Sequence, residues 1–163
     1  MTRREGFSLV EVLVVIAIIG IISTIVLVSL NTVRKKARDT KRKVEIYQIG
    51  RFLSTQCFLP SGGGGEYDIA DLADELRIKY PQYVNMLSQI PKDPSAGSGA
   101  KTFYYYIVDS DGKKCALYAN LENDAEKVTL IGIFVPTAGG GTGVLEVTTA
   151  GWNGTKKYFQ VSN

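Results

Sequence analysis

Histidine is absent from the 163-residue chain, which excludes imidazole acid–base catalysis and histidine metal ligation. Cysteine is nearly absent: Cys57 and Cys115 are too few and too separated for a zinc cluster. They suffice for one disulfide if the segment that carries them is extracytoplasmic. No nucleophile–base pair is visible, so an enzyme is not expected, and no catalytic residue, cofactor or metal is assigned. Charge is missing from one long stretch, since nothing between Glu11 and Arg34 is ionisable. Proline is missing from Asn31 to Leu59, where only Gly50 is a weak breaker, so a helix begun upstream continues to about Phe58.

What fills the uncharged stretch is apolar. Of the nineteen residues from Val12 to Leu30, only Ser23, Thr24 and Ser29 are polar. At about 1.5 Å per residue, such a helix matches a hydrocarbon core of roughly 30 Å. Just before it, Ser8-x-x-Glu11 reads as a capping box, and Phe7 and Val12 occupy the positions of a hydrophobic staple. That reading accounts for a well-made helix start. It leaves unexplained the short leader with Arg3 and Arg4, ending at Gly6, ahead of a membrane-length run. A secretory signal fits worse, because its apolar core is shorter and ends at a small-x-small cleavage site.

Gly6-Phe7-Ser8-Leu9-Val10-Glu11 resembles the processing site of bacterial type IV prepilins and type II secretion pseudopilins. The resemblance implies cleavage after Gly6 by a membrane-bound prepilin peptidase and N-methylation of Phe7. Glu11 matches the family's glutamate at the fifth mature position. Ser8 stands where threonine is commoner. Gly20 falls where many pilins carry a helix-loosening glycine, and Val28 where they often carry a proline. The expected topology is a single-pass precursor in the cytoplasmic membrane with its head outside, followed by an extracellular helical homo-oligomer. The positive-inside rule alone would hold the basic segment after the apolar run in the cytoplasm; the processing motif is the more specific signal.

Charge is unevenly placed. Residues 31–51 hold eight basic and two acidic side chains, whereas residues 52–163 hold nine basic and twelve acidic ones. The basic run Arg34-Lys35-Lys36, Arg38, Lys41-Arg42-Lys43 has three readings: anionic lipid headgroups, nucleic acid, or a solvated neck pairing with acidic neighbours after assembly. No aromatic residue lies between Arg34 and Lys43, so subunit packing is favoured and nucleic acid is not expected.

Between Val44 and Phe58 the helical period puts Ile46, Ile49, Leu53 and Cys57 on one stripe, suited to the chain's own head. Val44, Tyr47 and Phe58 lie nearly opposite, for a neighbour or for solvent. Pro60 to Gly65 reads as a flexible stop, Asp68 as an N-cap, and Leu72, Leu76 and Tyr80 as one face of a short helix. Pro81 makes Gln82 to Leu87 a separate turn or short helix. Thr102 to Val108 and Lys113 to Leu121 read as a hairpin about Asp109–Gly112, with Cys115, Leu117, Ala119 and Leu121 on one face. The tyrosine-rich hairpin and Cys115-Ala-Leu-Tyr-Ala-Asn-Leu-Glu122 are similar to the heads of pseudopilin-like proteins. Val128 to Val135 is expected as a strand and Pro136 to Gly143 as a loop. Val144 to Thr149 and Thr155 to Val161 form a last hairpin about Gly151-Trp152-Asn153-Gly154.

Three weaker motifs reduce to turns. Gly97-Ser-Gly-Ala-Lys-Thr102 feeds a strand rather than the helix a phosphate cradle needs. Asp109-x-Asp111-Gly112 lacks the other ligands of a calcium loop. Asn153-Gly154-Thr155 matches a glycosylation sequon by pattern, with a turn as its main meaning.

The expectation is an α+β fold, pilin-like, with a long N-terminal helix whose second half packs on a small antiparallel sheet. Its divisions are a leader (1–6), an apolar membrane or filament-core helix (7–30), its amphipathic continuation (31–59) and an α+β head (60–163). The expected role is a structural subunit of a type IV pilus or pilus-like filament, with Glu11 as the assembly residue. The alternatives are a type II secretion pseudopilin, or a minor pilin with a binding head. Both cysteines fall on inward faces, which predicts a Cys57–Cys115 disulfide; two buried thiols are the alternative.

Overall fold

The computed structural model describes residues 8–83 and 90–163. Its order is α1 (Leu9–Thr55), β1 (Gly65–Asp68), α2 (Ala73–Lys79), a 3-10 turn (Pro81–Tyr83), β2 (Tyr104–Val108), β3 (Cys115–Asn120), β4 (Gly143–Glu146) and β5 (Lys157–Ser162). The five strands form one antiparallel sheet in the order β1-β2-β3-β5-β4. A long apolar N-terminal helix followed by a small antiparallel sheet is the α+β, pilin-like layout the sequence predicts. The chain divides into two compact units, Met1–Lys35 and Lys36–Asn163.

In the second unit, period-two alternation turns Tyr104, Tyr106 and Val108 of β2, and Cys115, Leu117 and Ala119 of β3, toward α1. Ile46, Ile49 and Leu53 of α1 pack against them with Val161, and Leu72 and Leu76 complete the core. Gly50 lies where helix and sheet come closest. A Cβ there would sit 2.7 Å from Val161 Cβ, so the residue that reads as a weak breaker is what lets α1 approach β5. Cys57 and Cys115 are bonded, with their Cα atoms 5.6 Å apart.

Several expectations are corrected. Helix α1 stops at Thr55, so Cys57 and Phe58 both lie beyond any helical wheel; Cys57 is half-buried, and Phe58 is 2 % exposed and belongs to the core. Its N–H donates to Tyr106 Oη at 2.7 Å, and that hydroxyl donates to the Phe58 carbonyl at 2.9 Å. The flexible stop is shorter than expected, because β1 begins at Gly65 and pairs with β2. Asp68 does not cap α2, whose N-cap residue is Leu72, without a side-chain cap. Instead its buried carboxylate ends β1 and accepts the N–H groups of Ala70, Thr102 and Phe103 and the Thr102 hydroxyl.

Val128 to Val135 is not a strand. Gly132 takes φ +85° in the middle of the run, and only Thr129 and Leu130 bond to sheet backbone, both to the Val144 carbonyl. Ile131 is left 91 % exposed, with Phe134 and Val135 also exposed. The hairpins about Asp109–Gly112 and Gly151–Gly154 form as expected, with strand ends trimmed by a few residues. Of the turn expected over Gln82 to Leu87, residues 84–89 lie outside the described residues.

Candidate functional site

The first unit presents an apolar helix surface. Leu9, Val10 and Val12, and the isoleucines from Ile16 to Ile25, are all exposed. The window of highest mean hydropathy, 3.0, is long and apolar enough to cross a membrane. A helix apolar on every face is ordinarily covered by lipid or protein. The Thr24 hydroxyl is satisfied within the helix, its Oγ1 donating to the Ile21 carbonyl at 2.7 Å.

At the helix start the capping box is made. The Ser8 N–H donates to Glu11 Oε2 at 3.0 Å, and the Val10 N–H donates to Ser8 Oγ at 3.3 Å. Glu11 therefore stands in the first turn, where the helix dipole favours a negative charge. Gly6 and Phe7, the expected processing residues and the first half of the staple, lie outside the described residues.

The family model for the prokaryotic N-terminal methylation motif matches residues 1–27. The chain carries the type IV pilin and pseudopilin signature. No curated protein and no solved structure matches it. The signature is that of structural subunits rather than enzymes, and with it the apolar helix is compatible with a membrane-anchored precursor.

The basic run farther along α1 is not the uniformly solvated neck expected from sequence. Arg42 is 0 % exposed. Its guanidinium grips Asp93 through two bonds, Nε to Oδ2 at 2.7 Å and Nη2 to Oδ1 at 2.6 Å. It also meets Asp39 at 2.7 Å and Glu122 at 2.6 Å. Arg38 forks onto the same Glu122, at 2.8 and 2.5 Å. Asp39 in turn accepts the backbone N–H groups of Glu122 and Asn123, both at 2.8 Å. Two guanidinium ions and three carboxylates thus fasten α1 to the loops after Pro91 and Leu121.

Burial works against the Arg42 cation, but the bonds to Asp93 and Glu122 prevail and hold its pKa above the ordinary value. The Glu122 carboxyl is held down at about 2, chiefly by its bond to Arg38 and against its own desolvation, with Arg42 adding to the effect. Lys43 pairs with Glu126, and Lys41 reaches Glu45 at 3.7 Å. Arg34, Lys35 and Lys36 remain on the exposed surface.

The sequence pattern shows the Ser8–Glu11 helix start and the Cys57–Cys115 bond but gives little sign of this cluster. Only the i, i+3 pair Asp39–Arg42 carried a local signal. Among the weaker motifs, Asp109 Oδ1 accepts the N–H groups of Lys113 and Lys114, closing its turn. The sequon nitrogen, Asn153 Nδ2, donates to Asp93 and to the Asn120 carbonyl.

Proposed function

We propose that the chain is a structural subunit of a type IV pilus or pilus-like filament, cut after Gly6 and polymerised through its N-terminal helix. The observation that carries this reading is an apolar helix that bears the methylation motif at its start and a carboxylate, Glu11, in its first turn. A carboxylate among apolar groups costs on the order of 2.5–3.5 kcal/mol on insertion scales and calls for a partner. No basic residue occurs between Glu11 and Arg34. Cleavage after Gly6 creates one cation at the same depth, the amino group of Phe7. The Phe7 ammonium of an incoming subunit pairs with Glu11 of its neighbour, sets the axial stagger and leaves the apolar helices bundled as the filament core.

The Cys57–Cys115 bond supports a head folded in an oxidising, extracytoplasmic compartment. Mass spectrometry of the mature N-terminus tests the processing step, with methylated Phe7 as the expected first residue. An unprocessed Met1 terminus in an export-competent host would refute it. Enrichment of that species in sheared surface filaments is expected of a pilus subunit, and retention in the membrane fraction points to a pseudopilin.

A further inference from the structure

The face of the sheet turned away from α1 carries a cavity of about 400 Å³, within the size range of small-molecule sites. Tyr105, Tyr118 and Tyr158 form its floor across β2, β3 and β5. The first two rings lie 5.6 Å apart at 25°, and the next pair 6.0 Å apart at 57°. At one side Trp152 stacks on Phe103, with ring centroids 3.9 Å apart and planes at 13°. Glu66 of β1 also lines the cavity, alongside Tyr118. Segments from β1, the sheet, the loop before β4 and the last hairpin converge here.

The rings are held in place by unusual means. Phe103 has φ +59°, the only non-glycine residue with positive φ among those described, and a bulky side chain occupies that region only at a cost. Buried Asp68 imposes the conformation by accepting the N–H groups of Thr102 and Phe103. On the opposite ring, Trp152 is 54 % exposed, yet its turn is pinned: the Asn153 N–H donates to Asn120 Oδ1 at 2.6 Å. Gly151 is required beside it, because a Cβ would collide with the Tyr158 hydroxyl and come within 2.7 Å of Asn120 Cγ. Strained backbone that sets a half-buried Phe103 beneath an exposed Trp152 points to a surface kept for a ligand rather than for stability.

Charge selects the ligand. Among the described residues Glu66 is the one carboxylate in the lining and no lysine or arginine lines the cavity, while Asp68 and Asp71 add to the negative field at Tyr105. Aromatic faces and carboxylates both attract cations. Asn120 is committed to the protein, since its Nδ2 donates to the Thr155 and Lys157 carbonyls and its Oδ1 accepts from Asn153, which leaves the ring faces and the Glu66 carboxylate as the groups that set the ligand's charge. We infer that this aromatic cavity on the outer sheet face binds a small organic ammonium ion, with a trimethylammonium group fitting best. Such a group sheds water at less cost than a primary amine while keeping its charge for Glu66 and the ring faces.

The chain has a single tryptophan, so Trp152 emission reports directly on the cavity. The full-length protein in a polyoxyethylene detergent is titrated with choline and, at matched ionic strength, with its neutral isostere 3,3-dimethylbutan-1-ol. The expected result is a saturable change with choline and binding about tenfold weaker for the isostere. Glu66→Gln is expected to weaken choline binding several-fold while leaving the circular dichroism spectrum and the disulfide intact. Equal binding of the isostere, unchanged affinity in the well-folded Glu66→Gln variant, or saturation by a methyl glycoside in place of choline would each overturn the inference. So would the absence of any saturable response to choline.

Discussion

Replacing Arg42 with leucine tests whether the buried ion cluster or the apolar core fixes α1 to the head. The substitution roughly conserves apolar volume but strands Asp39, Asp93 and Glu122 with Arg38 as the remaining cluster cation. Removing one partner of a buried pair typically costs 3–5 kcal/mol, because the other charge stays desolvated and unpaired. Here three carboxylates lose bonds of 2.6–2.7 Å at once, so the upper end, about 5 kcal/mol, is expected near pH 7. Arg42→Lys keeps the charge but not the fork onto Asp93, and should cost less, about 2 kcal/mol.

The effect has a pH signature whose sign follows from Glu122. Its folded-state pKa is lowered from 4.5 to about 2, so the stability it contributes is fully present above pH 4.5 and is lost as pH falls toward 2. In Arg42→Leu that depression is weakened, and desolvation favours protonated carboxyls. The gap between wild type and variant should therefore narrow from pH 7 to pH 4. The assay is urea unfolding of the head in the detergent-solubilised full-length protein, followed by Trp152 emission under non-reducing conditions. A difference below about 1 kcal/mol at pH 7, or one that widens on acidification, would show that the cluster is not what holds the helix.

Further outcomes are expected elsewhere. Reducing Cys57–Cys115, or replacing both residues with alanine, should lower head stability by about 4 kcal/mol in the chain-entropy model, given a sequence separation of 58; unchanged urea midpoints would count against it. Gly50→Leu should cost about 1–3 kcal/mol by forcing α1 off Val161, despite leucine's better helix propensity, and a stabilised variant would mean the interface is loose. Glu11→Gln should leave the precursor stable and processed, since glutamine also serves in a capping box, yet sharply reduce filament yield. Wild-type filament yield from that variant would return Glu11 to the role of a helix cap.

Sequence made legible what repeats with a local period. The stripe Ile46, Ile49, Leu53 and the alternation Cys115, Leu117, Ala119 each name a buried face, whereas Cys57 reaches Cys115 from the segment just past the end of α1. Turn residues placed two hairpins by their φ requirements. The misses arose where a tertiary partner decides. Val128 to Val135 has the β-branched content of a strand, but Gly132 turns it away after Thr129 and Leu130 reach the Val144 carbonyl of β4. Strand β1 was hidden because its four residues begin inside a glycine run and gain stability only from β2. Arg42 read as solvated because a charged run usually is; its partners Asp93 and Glu122 lie 51 and 80 positions away and share no periodicity with it.

That same cluster joins the two faces of the head. Arg42 Nη2 donates to Asn153 Oδ1 at 3.3 Å, and Asn153 Nδ2 donates to Asp93 Oδ2 at 2.9 Å, so the turn carrying Trp152 is fastened to the helix's own counter-ion. Asn120 extends the link, accepting the Asn153 N–H and bonding the backbone on both sides of β5's start. The chain of contacts runs from α1 through a buried ion pair to the ring stack over the outer cavity. No member of it is a hydrophobic core residue. Arg42→Leu should consequently disturb Trp152 in the folded state as well as the unfolding midpoint: its emission should shift before any urea is added, while Gly50→Leu, which strains the helix–sheet contact without touching Asn153, should leave that emission unchanged. A Trp152 signal insensitive to Arg42 would separate the cavity from the helix and leave the cluster as a local fastening only.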